Sequence, residues 1–152
     1  MCIRDRSSKD RLSSENDKVQ LDKSFSKEIV INGNDAMQFD IKSYQVTIGQ
    51  PVRLTFKNVG SMPKIAMGHN LVILKKGIDG LAFGQKVIAS GGSTTNPLPS
   101  SLLGDVFAHT KLLGPGESET IDFIAPKQPG EYEYICTFPG HFAMMRGTMI
   151  VK

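Results

Sequence analysis

The sequence contains no tryptophan and only two cysteines, Cys2 and Cys136, among its 152 residues. A disulfide between them would tie a polar tail to a buried strand end, so we expect none, and the cysteine count does not fix the redox compartment. No apolar run approaches the roughly 18 residues that a membrane-spanning helix needs. The net charge is only +3, and the basic residues are scattered. Without a basic run interleaved with aromatic residues, the composition does not favour nucleic-acid binding.

The first 25 residues are polar and charged, and we expect them to form a disordered tail or tether. They lack the apolar run of roughly 7 to 15 residues that a secretory signal peptide requires. Residues 1–6 resemble translated adapter read-through from environmental sequencing, so we expect the natural N-terminus to be missing. Residues 26–152 carry most of the apolar content and predict one folded domain.

Residue 26 begins a series of short segments in which apolar and polar residues alternate between turn-forming residues, a pattern that predicts strands. The predicted strands cover 28–31, 37–41, 44–48, 52–56, 71–74, 118–124, 130–136 and 147–151. The apolar run 71–74 predicts a strand buried on both faces. Residues 77–104 break the pattern, and we expect an excursion from the sheet with a short helix at about 81–89. Seven or eight strands at this spacing indicate an all-β antiparallel sandwich.

The most informative segment is 136–145, which contains a thiol, an imidazole and a thioether within ten residues. Cys136 follows an alternating strand, His141 follows a Pro-Gly turn, and Met145 lies four residues beyond His141. A second imidazole, His69, begins the apolar run upstream. Two imidazoles, a thiolate and a weak thioether are the ligands of a mononuclear electron-transfer copper site. The combination, and no single residue, predicts such a site.

Several segments resemble azurins, the bacterial blue copper proteins of the cupredoxin family. They are Met-Gly-His-Asn at 67–70, Phe-Ala-His-Thr-Lys-Leu-Leu-Gly at 107–114, and the segment 136–147, with further similarity at 32–39. The similarity covers about 28–152. It implies a cupredoxin Greek-key β-sandwich that holds one type 1 copper ion and carries single electrons, cycling between Cu(I) and Cu(II), without catalysis.

The resemblance also assigns the metal ligands residue by residue. His69 and His141 would be the imidazole ligands, and Cys136 would be the thiolate. Met145 would be the long axial ligand, because the azurin spacing selects it over the preceding methionine. Gly68 would direct its backbone carbonyl at the metal from the opposite side.

The same resemblance implies supporting roles around these ligands. Asn70 would cross-link the two ligand loops and donate toward the thiolate, and Phe138 would support the site and tune its polarity. The ring edge of His141 would lie at the surface within an apolar patch where partners dock. That patch would comprise Met67, Pro139, Gly140 and Phe142.

The family further implies redox partners such as c-type cytochromes, nitrite reductase or a terminal oxidase. We expect a monomer or weak oligomer in the periplasm, with the polar tail as a tether to the envelope. Three departures from azurins concern stability and tuning. The chain has no cysteine pair for the azurin disulfide, Leu71 replaces a core aromatic residue, and Asn58 replaces a histidine that titrates with redox state in some azurins.

Two alternatives of other classes remain open from the residues alone. The first is a copper carrier or chaperone, which would need an accessible and labile site. The second is a thiol enzyme with Cys136 as nucleophile and His141 as base. A structural zinc site with the same ligands is a further variant, because thiolate and imidazole also suit zinc.

Overall fold

The computed structural model describes residues 26–152, so the predicted tail and Cys2 lie outside the described residues. Eight strands occupy this range: β1 Lys27–Gly33, β2 Ser43–Val46, β3 Pro51–Asn58, β4 Val72–Leu74, β5 Val106–His109, β6 Ser118–Ile124, β7 Gly130–Ile135 and β8 Arg146–Val151. The helices are α1 Lys64–Met67, α2 Gly80–Ala89 and a 3-10 helix at Ser100–Asp105. Among these residues, no helix has the length and apolar character needed to cross a membrane.

The strands form two sheets that pack face to face around one core. The smaller sheet has the order β1-β3-β6 and the larger has the order β2-β8-β7-β4-β5. The predicted all-β sandwich is therefore confirmed. The expectation of purely antiparallel pairing is wrong, because β1 pairs with β3 and β2 pairs with β8 in parallel. Alternation along a strand predicts which face is buried, but it carries no information about the direction of the neighbouring strand.

Alternating burial places the apolar side chains as the sequence predicts. In β3, Val52, Leu54 and Phe56 are fully buried in the core between the sheets. Strand β4 is buried on both faces, as predicted: Ile73 faces this core, whereas Val72 belongs to a second cluster on the other face of the larger sheet. Both faces of β4 are covered because helix α2 lies over the outer one.

One strand prediction fails and one strand was missed, both for local reasons. The predicted strand 37–41 is only an isolated bridge between Gly33 and Phe39, because Met37 adopts a left-handed φ of 57° and turns the chain. Strand β5 was not predicted, because its sequence Val-Phe-Ala-His does not alternate. It is an edge strand held by pairing with β4, with a register shift between Ile73 and Leu74.

The predicted helix in the excursion is confirmed as α2, which begins one residue before the predicted start. Asp79 caps it by accepting a hydrogen bond from the Ala82 backbone N–H at 2.9 Å. Phe83 and Val87 pack into the outer cluster on the larger sheet. Gly84 lets the helix approach the ligand loop, because a Cβ at this position would lie 2.2 Å from the Phe142 ring. The excursion thus supports one side of segment 136–145.

We expect Gly84→Ala to destabilise the fold, although alanine favours a helix by about 1 kcal/mol over glycine. The added Cβ meets Phe142 near its own Cβ, which lies 2.8 Å away, so rotation of the ring cannot relieve the clash. Overpacking of this kind costs about 1–3 kcal/mol. In guanidinium unfolding, the variant should therefore have a lower midpoint denaturant concentration than the wild type.

Gly104→Ala is the matched control, since no heavy atom lies within 4 Å of its added Cβ. An unchanged or higher midpoint for Gly84→Ala would contradict this packing.

Candidate metal centre

Three side chains from distant parts of the chain converge beneath one end of the sandwich. His69, Cys136 and His141 bring one potential ligand atom each to within 4.8 Å of one another. The Cys136 Sγ lies 4.0 Å from His69 Nδ1 and 3.7 Å from His141 Nδ1. All three residues are buried. A thiol and two imidazole nitrogens therefore face a common point that solvent barely reaches.

The segment after β7 is shaped by its own backbone hydrogen bonds. Alternation along β7 directs Tyr134 and the following Cys136 into the core. The His141 N–H donates to the Phe138 carbonyl at 3.0 Å, and the Met145 N–H donates to the His141 carbonyl at 2.9 Å. The Cys136 N–H donates to the Met145 carbonyl at 3.1 Å, which closes the loop. The ends of segment 136–145 are thus held together before β8 begins.

His69 is fixed by both its backbone and its ring. Its N–H and carbonyl exchange hydrogen bonds with Leu113 at 3.1 and 2.7 Å. Its Nε2 lies 2.7 Å from the Asn34 carbonyl oxygen. A carbonyl oxygen can only accept, so Nε2 carries the proton and Nδ1 presents a lone pair toward Cys136. Hydrogen bonds of this type set the tautomer and orientation of metal-binding histidines.

The turn that holds the His69 ring is itself anchored by Asp35. This carboxylate accepts hydrogen bonds from the Ser61 N–H at 2.9 Å and the Ser61 hydroxyl at 3.3 Å. The Ser61 backbone hydrogen bond is the main reason that the pKa of Asp35 is lowered. Gly60 makes room for it, because a Cβ there would lie 2.0 Å from Asp35 Oδ1. The sequence analysis noted only a similarity to azurins at 32–39 and missed this supporting role.

Asn70 joins the two segments that carry His69 and Cys136. Its amide nitrogen donates to the Thr137 hydroxyl, and its amide oxygen accepts from the Thr137 N–H, both at 2.8 Å. Both residues are buried. Thr137 was missed as a partner, because a contact across 67 residues leaves no local pattern in the sequence.

The sulfur of Cys136 lies in an environment that disfavours a free thiolate. Burial raises the pKa of the thiol to about 12, and the backbone N–H groups of Asn70 and Phe138 hydrogen-bond to it and partly oppose this shift. A thiolate is the form that binds metals. A cation must therefore compensate the charge here, and two imidazole nitrogens face the same point. One buried sulfur donor and two buried nitrogen donors fit a metal that accepts both thiolate and imidazole ligands, such as copper.

His141 is more enclosed than the sequence analysis expected, since only 3% of it is exposed. The Phe138 ring lies 4.6 Å from its ring, between centroids. Burial is the first cause that lowers the pKa of His141 to about 4, and the charge of His69 adds to it. The His141 ring is therefore almost completely enclosed by protein.

The other predicted site residues surround this group in different ways. Met145 is fully buried, and a Cβ on Gly33 would lie 2.7 Å from its terminal methyl carbon. Met144 is 55% exposed and points away from the core. Gly68 is tightly enclosed, because an added Cβ would lie 2.7 Å from the Lys64 carbonyl oxygen.

The predicted docking residues are exposed to different degrees. Gly140 is exposed and adopts a left-handed φ of 86°, whereas Met67 and Pro139 are half-buried. Phe142 is also half-buried, because its ring packs against Gly84 and the outer cluster. Its side chain therefore links the loop to α2 as well as lining the surface.

Comparison with known proteins identifies relatives over almost the whole described range. Residues 25–152 match the family model for copper binding proteins of the plastocyanin/azurin family. Azurin of Achromobacter denitrificans is 42% identical over 127 residues, covering 80% of this chain and 82% of that protein. Outer membrane protein H.8 of Neisseria meningitidis is 41% identical over 120 residues, covering 77% of this chain and 63% of that protein. The structure of reduced auracyanin from Roseiflexus castenholzii aligns with a TM-score of 0.71 and 38% identity, covering 84% of this chain and 98% of auracyanin.

We expect the metal-free protein to lose stability as the pH falls from about 6.5 toward 4. Burial holds the pKa of His141 at about 4, below the 6.5 of a free histidine, and it also lowers the pKa of His69. The unfolded chain therefore binds more protons in this window, which favours unfolding as the pH falls. At about 1.4 kcal/mol per pKa unit, the lowered pKa of His141 alone accounts for a loss of up to about 3 kcal/mol in the free energy of unfolding.

Guanidinium unfolding of the metal-free protein between pH 7.5 and 4.5 measures this effect. His141→Gln cannot titrate, so its stability should depend less steeply on pH. His109→Gln is the matched control, because it removes an exposed histidine that lies outside the site. Equal slopes for His141→Gln and the wild type would rule out this role for His141.

Proposed function

Because the chain belongs to the plastocyanin/azurin family of copper-binding proteins, we propose that it is a blue copper electron carrier whose metal is held by His69, Cys136 and His141. The observation that carries this proposal is the convergence of these three buried side chains within 4.8 Å. Bound copper supplies one-electron chemistry by cycling between Cu(I) and Cu(II). Sulfur ligands suit the first state and imidazoles suit the second, so the mixed set serves both.

Two further ligands complete the proposed site. Met145 is the candidate thioether, and its support is its full burial beside the loop that its own backbone closes on Cys136. The Gly68 carbonyl is the candidate on the His69 side, since Gly68 directly precedes that ligand. A weak thioether or carbonyl donor at these positions would tune the reduction potential of bound copper.

Rigid support of the ligands serves electron transfer, because ligand movement between oxidation states slows it. The Asn34 carbonyl holds the ring of His69, and the Asn70–Thr137 pair joins its segment to that of Cys136. Such supporting contacts pre-organise a metal site. The ligand side chains would therefore need to move little between the two oxidation states.

Hydrogen bonds to the sulfur tune how readily the site accepts an electron. The backbone N–H groups of Asn70 and Phe138 donate to Cys136 Sγ. Donors withdraw charge from the sulfur and favour the reduced state, which raises the potential. Both donors are main-chain groups, so side-chain substitution at Asn70 acts on the loop cross-link more than on this hydrogen bond.

Partners would dock beside segment 136–145. Met67, Pro139 and Gly140 offer a small apolar surface there, and the half-buried Phe142 contributes its accessible edge. Small apolar contacts suit weak, short-lived redox encounters. Candidate partners are c-type cytochromes, nitrite reductase or a terminal oxidase, met by a monomer or weak oligomer. A periplasmic, envelope-tethered location is in keeping with the similarity to a protein named outer membrane protein H.8.

The burial of the three side chains argues against the alternative functions. A thiol enzyme needs an accessible thiolate, but the sulfur of Cys136 is fully buried and its pKa is raised. A copper chaperone needs donors that can reach another protein, but all three donor residues are enclosed. Electron transfer needs no such access, because electrons can cross a thin layer of protein.

We expect Met145→Leu to keep copper and to raise the reduction potential, because a weak thioether ligand is replaced by hydrocarbon of similar volume. Voltammetry of the copper-loaded protein should show one reversible one-electron wave for the wild type and the variant. Met144→Leu is the matched control and should leave the potential unchanged, since Met144 is exposed.

The Met145→Leu experiment also separates the alternatives. A chaperone would lose copper affinity on this substitution, and a thiol enzyme would be unaffected by it. An equal potential for Met145→Leu and the wild type would contradict the assignment of Met145 as a ligand.

A further inference from the structure

A surface groove of about 560 Å³ lies close to the proposed copper site but outside it. Its walls come from α1, from the segment that follows α2, and from the segment between β5 and β6. The lining residues are Lys64, Ile65, Thr94, Thr95, Pro97, Lys111 and Leu112. None of these residues belongs to the ligands or docking residues already described.

The groove combines two ammonium groups with apolar side chains. Ile65 is 70% exposed, and Leu112 and Pro97 add further apolar surface. Within residues 26–152, neither Lys64 nor Lys111 has an ion-pair partner. The groove therefore offers an apolar floor and two positively charged side chains to a molecule that carries both apolar and acidic groups.

The acidic residues nearest the groove have other hydrogen-bonding partners. Glu117 accepts a hydrogen bond from the Gly114 N–H at 2.6 Å. Glu119 accepts one from the Lys111 N–H, also at 2.6 Å. Both carboxylates thus hold backbone turns, and neither lines the groove, whose two charged side chains are both lysines.

The walls of the groove are the same segments that position His69. An added Cβ on Gly68 would lie 2.7 Å from the Lys64 carbonyl oxygen and 3.1 Å from Leu112 Cδ2. Leu112 also directly precedes Leu113, whose backbone pairs with His69. A molecule seated in the groove therefore lies against the His69 side of the site.

We propose that this groove binds an acidic segment with an apolar residue at its centre, carried on the surface of the redox partner. The inference rests on the proposed electron-carrier function. It adds that the partner's contacting segment is acidic and that it binds at this groove. Carboxylates would pair with Lys64 and Lys111, and the apolar residue would cover Ile65. A free inorganic anion would leave that apolar surface exposed to water, so a polypeptide fits better.

Such a contact would act mainly on the rate of encounter. Charge complementarity at the edge of an interface steers association and fixes orientation more than it adds affinity. Screening by salt weakens it over a Debye length of about 10 Å at 0.1 M. Steering at the groove would bring the partner to the adjacent apolar docking residues, where electron transfer takes place.

A peptide titration of the copper(I)-loaded protein tests the proposal, because this form is diamagnetic and suits NMR. The probe is Ac-Asp-Glu-Leu-Glu-Asp-NH2 at about 10 mM ionic strength, where the Debye length is about 30 Å. Saturating amide shifts are expected at 64–65, 94–97 and 111–112. The neutral peptide Ac-Asn-Gln-Leu-Gln-Asn-NH2 should give no saturating shifts.

Two charge-reversal variants separate the groove from net charge. K64E/K111E should weaken binding of the acidic peptide at least about tenfold, a change of about 1.4 kcal/mol. K42E/K127E changes the net charge equally at exposed lysines away from the groove, and it should change binding less than about twofold. Ile65→Gln keeps the charges of Lys64 and Lys111. It should weaken peptide binding several-fold without changing the binding of inorganic phosphate.

Three outcomes would overturn the groove proposal. They are peptide shifts scattered over the surface, an equal loss of binding in both charge-reversal variants, and phosphate binding at 64–65 and 111–112 as tight as that of the peptide. The blue absorption of each variant is recorded in parallel. Failure of the wild type to develop that absorption would instead reject the electron-carrier function, so the two failures are distinguishable.

Discussion

The reciprocal hydrogen bonds between Asn70 and Thr137 are the contact on which the metal centre most depends. They join two segments 67 residues apart, one carrying His69 and the other carrying Cys136. Both partners are buried, so losing either one would leave an unsatisfied amide or hydroxyl at a cost of about 1–3 kcal/mol. The same pair fixes where the sulfur lies relative to the imidazole of His69. Stability and metal geometry are therefore coupled at this point.

The two clusters of apolar residues support the site from different sides. The core between the sheets holds Cys136 and Met145, whereas the outer cluster holds α2 against Phe142 through Gly84. Segment 136–145 is thus packed from within and from the excursion 77–104. An electron carrier benefits from this arrangement, because the ligands are restrained while the neighbouring surface at Gly140 and the groove beside Ile65 stay open to partners.

Local sequence predicted the parts of the structure that local physics controls. Alternation predicted the inward side chains of β3 and β7, and the short spacing between Cys136 and His141 predicted that their side chains meet. Contacts between distant segments could not be predicted: the Asn34 carbonyl that holds His69, the parallel pairing of β1 with β3, and the approach of Gly84 to Phe142. A carbonyl acceptor exists at every residue, so nothing in the sequence marks Asn34. The strand predicted at 37–41 failed because the left-handed Met37 turns the chain.

A copper(II) titration of the metal-free protein tests the central claim most directly. Visible absorption and electron paramagnetic resonance would be recorded at each addition. The account predicts binding of one equivalent, with an intense thiolate-to-copper absorption band and unusually small copper hyperfine splitting, as expected for a thiolate–imidazole copper site. A pale tetragonal copper signal, or no binding, would contradict the account and leave Cys136 and His141 without the proposed role.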